Sequence, residues 1–486
     1  MSKLYIYGIG GTGARVLRSL TMLLASGVSL GPDIDTIVPV IVDPDTSNGD
    51  LTRTVGLMQL YQKIRAQLKF DNRPEKRGYF YTQIDDMGTN FRLHLNNVAN
   101  MRFGDYIAYN RFTADGHADP NQALLSLLFS DSNLNCPLDV GFKGNPNMGA
   151  IVLNDPMNTE ALVELLNNFQ TGDRIFIISS IFGGTGAAGF PLFQKTFREA
   201  EALDIPNSSA IANAPIGAVS VLPYFGLKDD KDSQIKMETF ISKTKAALKY
   251  YIGNLDVDAL YYVCDAIKNR YNNVEGATEQ RNKAHFVELA AALGIVDFAR
   301  SRMEHPRQGS ITSFREFAVR QDLNPLSLGD LGASTFSVMG REMMSFYIFA
   351  RFFLEHFNDT KNYAWAKTSA MKNTSYSDAF FIDLGQFVDA FRSQWLKEMS
   401  DNQRSFQPFE LYSNEQDIFD TIIGIDPKKT SMMDRIFGKN LKGYPAIDTE
   451  ISDVSMKRIK GLDAYNFFMT VHETAINNVI KRKYNI

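Results

Sequence analysis

The sequence predicts an α/β fold, with a parallel sheet in its N-terminal part and a mainly helical C-terminal part. Three observations carry this. Twice, an apolar run of strand length passes directly into a glycine-rich loop and then into a helix-forming segment, at residues 3–26 and 174–203. A third apolar run, 37–42, stops at Asp43-Pro44-Asp45-Thr46. Unbroken β-branched runs, rather than alternating ones, mark strands buried on both faces, as in a parallel sheet flanked by helices. Beyond about residue 300 the pattern turns helical, at 340–357, 383–399, 414–425 and 464–482.

With 486 residues the chain has room for two or three packed units. Lys and Arg number 51 against 55 Asp and Glu, a net charge of −4, so no basic field argues for nucleic acid or an anionic membrane. Two unclustered cysteines, Cys136 and Cys264, suit a reducing compartment and neither a disulfide framework nor a zinc site. The first residues, MSKLYIYGIGG, enter a strand without the apolar core of a signal peptide. No apolar run approaches the roughly 18–20 residues of a membrane helix. A soluble, cytoplasmic protein is expected.

In chain order, Gly8-Ile9-Gly10-Gly11-Thr12-Gly13 satisfies G-x-G-x-x-G after a strand and before the amphipathic helix 14–26, the Rossmann-like context. Such a loop turns backbone N–H groups toward an anion at a helix N-terminus, and a Cβ would hold a phosphate away from them. Asp43 and Asp45, closing the next strand, suit a ribose, a phosphate-bound metal, or simply a solvated turn. Asp45 is the candidate to orient Mg2+ through water. Residues 51–140 hold a helical piece (57–68), a basic turn (73–78) and aromatic segments (79–83, 106–112). Interleaved Arg and Tyr can grip single-stranded nucleic acid, but with balanced charge an inserted subdomain or partner surface is preferred. The loop Gly183-Gly184-Thr185-Gly186-Ala187-Ala188-Gly189 is not a P-loop, because no Lys follows its last glycine. Pro191 is expected near the first turn of the following helix, where a missing N–H costs nothing.

That second loop resembles the phosphate loop of the tubulin/FtsZ GTPase superfamily, GGGTG[ST]G, with Phe182 for the first glycine and Ala187 for the small hydroxyl residue. Four other stretches resemble FtsZ in the same order: 8–13, 43–46, 141–150 (GFKGNPNMGA, similar to GAGANPEVG) and 217–226 (similar to AVVTKPFxFEG, without its ribose-holding Glu). The resemblance implies a tubulin/FtsZ-type nucleotide domain over 1–300, with an insertion at 51–140 and a central helix at about 282–298, then a divergent helical domain over 301–486. It implies GTP and Mg2+ as ligands. Gly8, Gly10, Gly11, Thr12, Gly13, Asp43, Gly183, Gly184, Thr185 and Gly186 form the nucleotide-binding set, and Asn145 sits on the loop that senses the terminal phosphate.

Lys228, Asp229 or Asp230 stand near the missing ribose contact. Strand 257–265 is similar to VDTLIVIPN, placing Asp265 where the family has a base-proximal Asn. A carboxylate there accepts from guanine N1–H and N2–H together; a turn acid is the alternative. Asn282, and secondarily His285, fall at the base-facing turn of the central helix. The family's NxDxxD hydrolytic loop, which acts in trans on the next subunit's nucleotide, finds its nearest string at 322–330, out of spacing. Asp322 and Asp330 are the candidates to place the attacking water. The resemblance therefore implies GTP/GDP binding and self-association, with the 51–140 insertion or the helical domain as a surface for protein partners. Two readings stand beside it. An E1-type or NAD-type Rossmann enzyme fits GIGGTGARVLRSL and VDPDTSNGDL, but needs no loop at 183–189, and neither cysteine suggests a reactive thiol. A non-hydrolysing nucleotide switch or scaffold fits the missing NxDxxD.

Overall fold

A seven-stranded parallel sheet lies at the centre of the computed structural model. The structure describes residues 2–484 apart from 71–77, 96–97, 99, 114–118, 143, 155–159, 203–204, 228–236, 268, 272–277, 279–280, 303–311, 317–319, 321, 413–416, 429–441 and 457–461. The strands are β1 (Ser2–Ile9), β2 (Ile34–Val42), β3 (Gln83–Ile84), β4 (Arg174–Ser180), β5 (Ile216–Val221), β6 (Phe225–Leu227), β7 (Ala259–Val263), β8 (Asn269–Tyr271) and β9 (Ser313–Glu316). The main sheet runs β3-β2-β1-β4-β5-β7-β9, and β6 pairs with β8 apart from it. The chain builds outward from β1 to β3, returns to the other side of β1 with β4, and builds outward again. Strand order thus reverses between β1 and β4, joined in register as Gly8↔Ile178. In open α/β sheets, the crevice beyond the carboxyl ends at such a reversal is where ligands bind.

Helices cover both faces. On one lie α1 (Gly10–Ala25) and α2 (Gly49–Ala66); on the other, α3 (Pro146–Asn154) and α4 (Gly184–Arg198). Side-chain alternation assigns them: Gly8 faces Leu17 of α1, whereas Tyr7 lies against Phe193 and Phe197 of α4. Helix α5 (Met237–Tyr251) precedes β7, and the central helix α6 (Phe286–Arg300) sets Phe298 against Phe176 of β4. Among the described residues, β4 is buried throughout, as its apolar run 175–178 predicts, and so is β5.

The C-terminal part is helical: α7 (Gly332–Glu355), α8 (Ala379–Asp389), α9 (Lys397–Ser400), α10 (Gly443–Met456) and α11 (Ala464–Tyr484). Its core is aromatic, with Phe349, Phe353, Phe357, Phe468 and Trp365 all buried. Tyr79 and Phe80 join that core, Tyr79 bonding Ser345 at 2.5 Å, so this aromatic segment of the insertion is interior.

Four local expectations change. The central helix starts at Phe286, later than residue 282, because His285 caps it: Nδ1 accepts from Val287 N–H, and Glu288 returns a bond to the His285 N–H. Helix α4 begins within the glycine loop at Gly184, which puts Pro191 in its interior and removes one backbone bond there. The described residues of 414–425 form turns instead of a helix. Asp417 Oδ1 accepts from Phe419 N–H at 3.2 Å, and Gly424 takes a left-handed φ of 86°. Finally β9, from the region read as helical, becomes the seventh strand.

Candidate functional site

Both glycine loops leave carboxyl ends of neighbouring strands, β1 and β4, at the reversal of strand order, and they touch. A Cβ on Gly10, whose φ is +72°, would lie 3.5 Å from Thr185 Cβ and 3.9 Å from Gly186 N. The 141–149 loop closes on the second of them. A Cβ on Gly184 would meet Asn145 N at 2.9 Å and Gly144 N at 3.1 Å, and one on Gly149 would meet Gly184 O at 2.9 Å. The structure therefore brings Gly8, Gly10, Gly11, Thr12, Gly13, Asn145, Gly183, Gly184, Thr185 and Gly186 into one place. Within this group Gly13 packs on Gly8 and Gly186 on Ser180, which sets each helix tight against its strand.

The helix ends at this crevice differ from those of α2 and α6. Neither α1, entered from Ile9, nor α4, entered from Gly183, has a side-chain cap or an acid in its first turn. By contrast, Asn48 caps α2, accepting from Asp50 and Leu51 N–H, and His285 caps α6. Two uncapped helix N-termini converging on one spot concentrate N–H donors and positive dipole there.

The turn after β2 comes alongside the first loop. A Cβ on Gly11 would lie 3.8 Å from Asn48 Nδ2 and 3.6 Å from Arg15 Nη1. Asp43 and Asp45 are both buried in this turn. Asp43 accepts from Asp45 N–H at 3.1 Å, and Asp45 accepts from Ser47 N–H at 3.1 Å and Ser47 Oγ–H at 2.8 Å. Burial raises the Asp43 carboxyl to about 7; the Asp45 N–H opposes that rise and the Asp45 charge adds to it.

Behind the first loop lies a buried charge network that the sequence analysis missed. Arg15 donates to Glu288 at 2.6 Å, Asp50 at 2.9 Å, Tyr224 at 3.0 Å and Thr12 at 3.2 Å. Tyr224 O–H also donates to Glu288, at 2.8 Å. Burial works against the Arg15 charge, but Tyr224, Glu288 and Asp50 outweigh it and hold this guanidinium well above the usual arginine range. Arg53 links Asp50 to Glu398 of α9, which Arg18 also reaches at 2.7 Å. Burial would raise Glu398, yet Arg18 and Arg53 hold it below the usual range. The signal was present: Arg15 and Arg18 are the only charges in the stretch 14–26.

The base-side candidates have protein partners. Asp265 Oδ1 accepts from Ala266 N–H at 2.7 Å, and Oδ2 lies 2.8 Å from Arg404 Nε. The Asn282 N–H donates to Asp50 at 3.2 Å and its carbonyl accepts from Arg53. Burial lowers His285 to about 4, so its neutral ring serves as the cap just described. Asp322 is exposed and pairs with Arg320 at 2.5 Å; Asp330 accepts from Ser327 N–H at 2.7 Å and Ser327 O–H at 2.6 Å. Lys143, Lys228, Asp229 and Asp230 lie outside the described residues.

No protein-family model matches the chain, and no curated protein matches it. Among solved structures it is similar to CetZ from Methanosaeta thermophila, at 16% identity and a TM-score of 0.28, covering 62% of this chain and 51% of that one. It is similar to CetZ2 from Haloferax volcanii, a GTPγS-bound protofilament, at 16% identity and a TM-score of 0.29, covering 62% and 58%. An FtsZ from M. jannaschii follows at 13% identity and a TM-score of 0.27, covering 54% and 46%. The match thus spans about half the length of these structures. No described helix is long and apolar enough to cross a membrane.

Proposed function

We propose that the chain binds a guanine nucleotide, GTP or GDP, across its two glycine loops. The observation that carries this reading is the meeting of two uncapped helix N-termini at the reversal of strand order, with the Asn145 loop closing on the second of them. Backbone N–H groups of Gly10–Gly13 and Gly183–Gly186 hold the phosphates, and the Thr185 hydroxyl adds a donor. The guanine specificity comes from the sequence resemblance, with Asp265 and Asn282 on the base side. The 43–48 turn fits Mg2+ held through water, since it sets two buried carboxylates beside the first loop and Mg2+ keeps most of its waters. When bound, Mg2+ would offset phosphate charge.

Self-association belongs to this reading. In the insertion, the helix Pro120–Leu128 has no buried residue and exposes Leu124, Leu127 and Leu128, which suits a protein surface. A non-hydrolysing switch is the second reading. It is favoured by the two candidate catalytic acids, for Asp322 pairs with Arg320 and Asp330 caps its own turn. GTP turnover, followed with nucleotide-dependent pelleting, separates the two.

The deciding experiment denatures the purified protein and chromatographs the nucleotide released, then repeats this with Gly184→Trp and Gly10→Trp. GTP or GDP, lost in both variants, is expected. NAD, ATP or AMP lost only in Gly10→Trp would replace this reading with a Rossmann or adenylating enzyme. A protein that purifies without nucleotide is titrated with labelled GTP and ATP, and failure to bind either overturns the reading.

A further inference from the structure

Lys243 projects from α5 to the rim of the candidate site. Its Nζ donates to the Gly144 carbonyl, and a Cβ on Gly144 would lie 3.5 Å from Nζ. Gly144 N in turn lies 3.1 Å from the Cβ position of Gly184, the first residue of α4. An ammonium group therefore stands within one residue of an uncapped helix N-terminus.

This arrangement is electrostatically unfavourable as it stands. The N-terminus of a helix carries the equivalent of roughly half a positive charge, and a cation beside it is repelled. The Lys243 side chain is half-buried, and burial lowers its pKa below the usual lysine value. Among the described residues no carboxylate pairs with it, and neither 141–149 nor 183–189 contains an acid. One neutral carbonyl is the partner seen for a group with three N–H donors. Two positive features turned on one spot, with no anion between them among the described residues, are matched by an anionic ligand.

We propose that Lys243 is a phosphate-binding residue, whose ammonium pairs with phosphate oxygens lying over Gly184. The inference rests on the nucleotide reading above and names a side-chain cation for it. The second glycine loop has no lysine of its own, and Lys243 supplies the charge from a different helix. Because the contribution is charge on charge, it grows with the number of phosphates.

The test compares wild type, Lys243→Gln and Lys243→Arg for binding of GTP, GDP and GMP. Lys243→Gln should weaken GTP about tenfold, GDP less and GMP least, as expected for one charge-assisted contact. Lys243→Arg should stay within about threefold of wild type, since it keeps the charge. Equal losses for all three nucleotides would mean that Lys243 only props the 144 loop, and no loss would remove it from the site; either overturns the proposal. Wild type that binds none of the three sinks the nucleotide reading itself. A measurement on the unaltered protein guards against misfolding: saturating GTP should shield Lys243 from acetylation, read by peptide mass spectrometry. Unchanged acetylation with GTP bound would also overturn the assignment.

Discussion

The two glycine loops share the tetrapeptide Gly-Gly-Thr-Gly, at 10–13 and 183–186, and they are supported by different means. Behind the first stands charge. Thr12 accepts from Arg15, and Arg15 is held by Glu288 and Asp50, themselves buried. Behind the second stands neutral backbone: Gly186 on Ser180 and Gly184 on Asn145 and Gly144. The first loop is thus joined through Arg15, Arg53 and Glu398 to the C-terminal helices, while the second is joined to its own half of the sheet. A loop motif specifies how backbone meets a ligand and leaves its support to distant residues.

The sharpest way to break this contrast is Arg15→Met. It leaves Glu288 and Asp50 buried with their main counter-charge gone, a loss of about 3–5 kcal/mol for such groups. Urea denaturation should show it, and nucleotide affinity should fall with it because Thr12 loses its partner. A loss below about 1 kcal/mol would mean that the network is not the first loop's support.

Asp43 gives the same contrast a pH dependence. Its folded carboxyl titrates at about 7, raised by burial, whereas the unfolded chain ionises near the ordinary value of 3.8. The folded state therefore holds a proton that the unfolded state has lost. Stability falls as pH rises from about 4 to about 7 and levels off above, by on the order of 4 kcal/mol. Asp43→Asn keeps an acceptor for the Asp45 N–H and should flatten that fall, making it more stable than wild type at pH 8 and equal to it near pH 4. Parallel pH profiles of the urea midpoint for the two proteins would remove Asp43 as the cause.

What could be read in the sequence was local. The apolar runs became β1, β2, β4, β5 and β7, and the glycine loops fell at strand ends, because strand burial and loop chemistry are set by adjacent residues. The charge support was not readable, since Arg15 and Glu288 lie 273 residues apart and neither belongs to a motif. Nor was β9, a four-residue edge strand in which every residue is exposed, so that no apolar pattern marks it. At 414–425 the apolar spacing suggested a helix, but Asp417 bonded to the Phe419 N–H and a left-handed Gly424 favour turns. Asp265 and Asp330 were readable as residue types only; the partners that engage them, Arg404 and Ser327, come from tertiary packing and from a cap.

The packing glycines should respond alike in both loops. A Cβ on Gly13 would fall 2.3 Å from the Gly8 carbonyl carbon, and one on Gly186 would fall 2.6 Å from Ser180 O. Alanine at either position pushes a helix from its strand, for about 1–3 kcal/mol of stability. Equal losses would show that the shared tetrapeptide keeps one packing role despite its different supports. A near-neutral effect at either site would break that equivalence.

Gly11 gives the smallest effect on stability and the cleanest reading of the ligand. Its φ is not left-handed, and a Cβ would find nothing closer than Arg15 Nη1 at 3.6 Å. Gly11→Ala should therefore change stability by less than about 1 kcal/mol, and can raise it by restricting the unfolded chain. Its methyl group nonetheless stands on the backbone that a phosphate must approach, so nucleotide affinity should drop by about tenfold, or 1.4 kcal/mol. Intact stability with weakened binding places phosphate against the first loop. Unchanged affinity would instead confine the nucleotide to the second loop, leaving the charged support of the first as a strut between the sheet and the C-terminal helices.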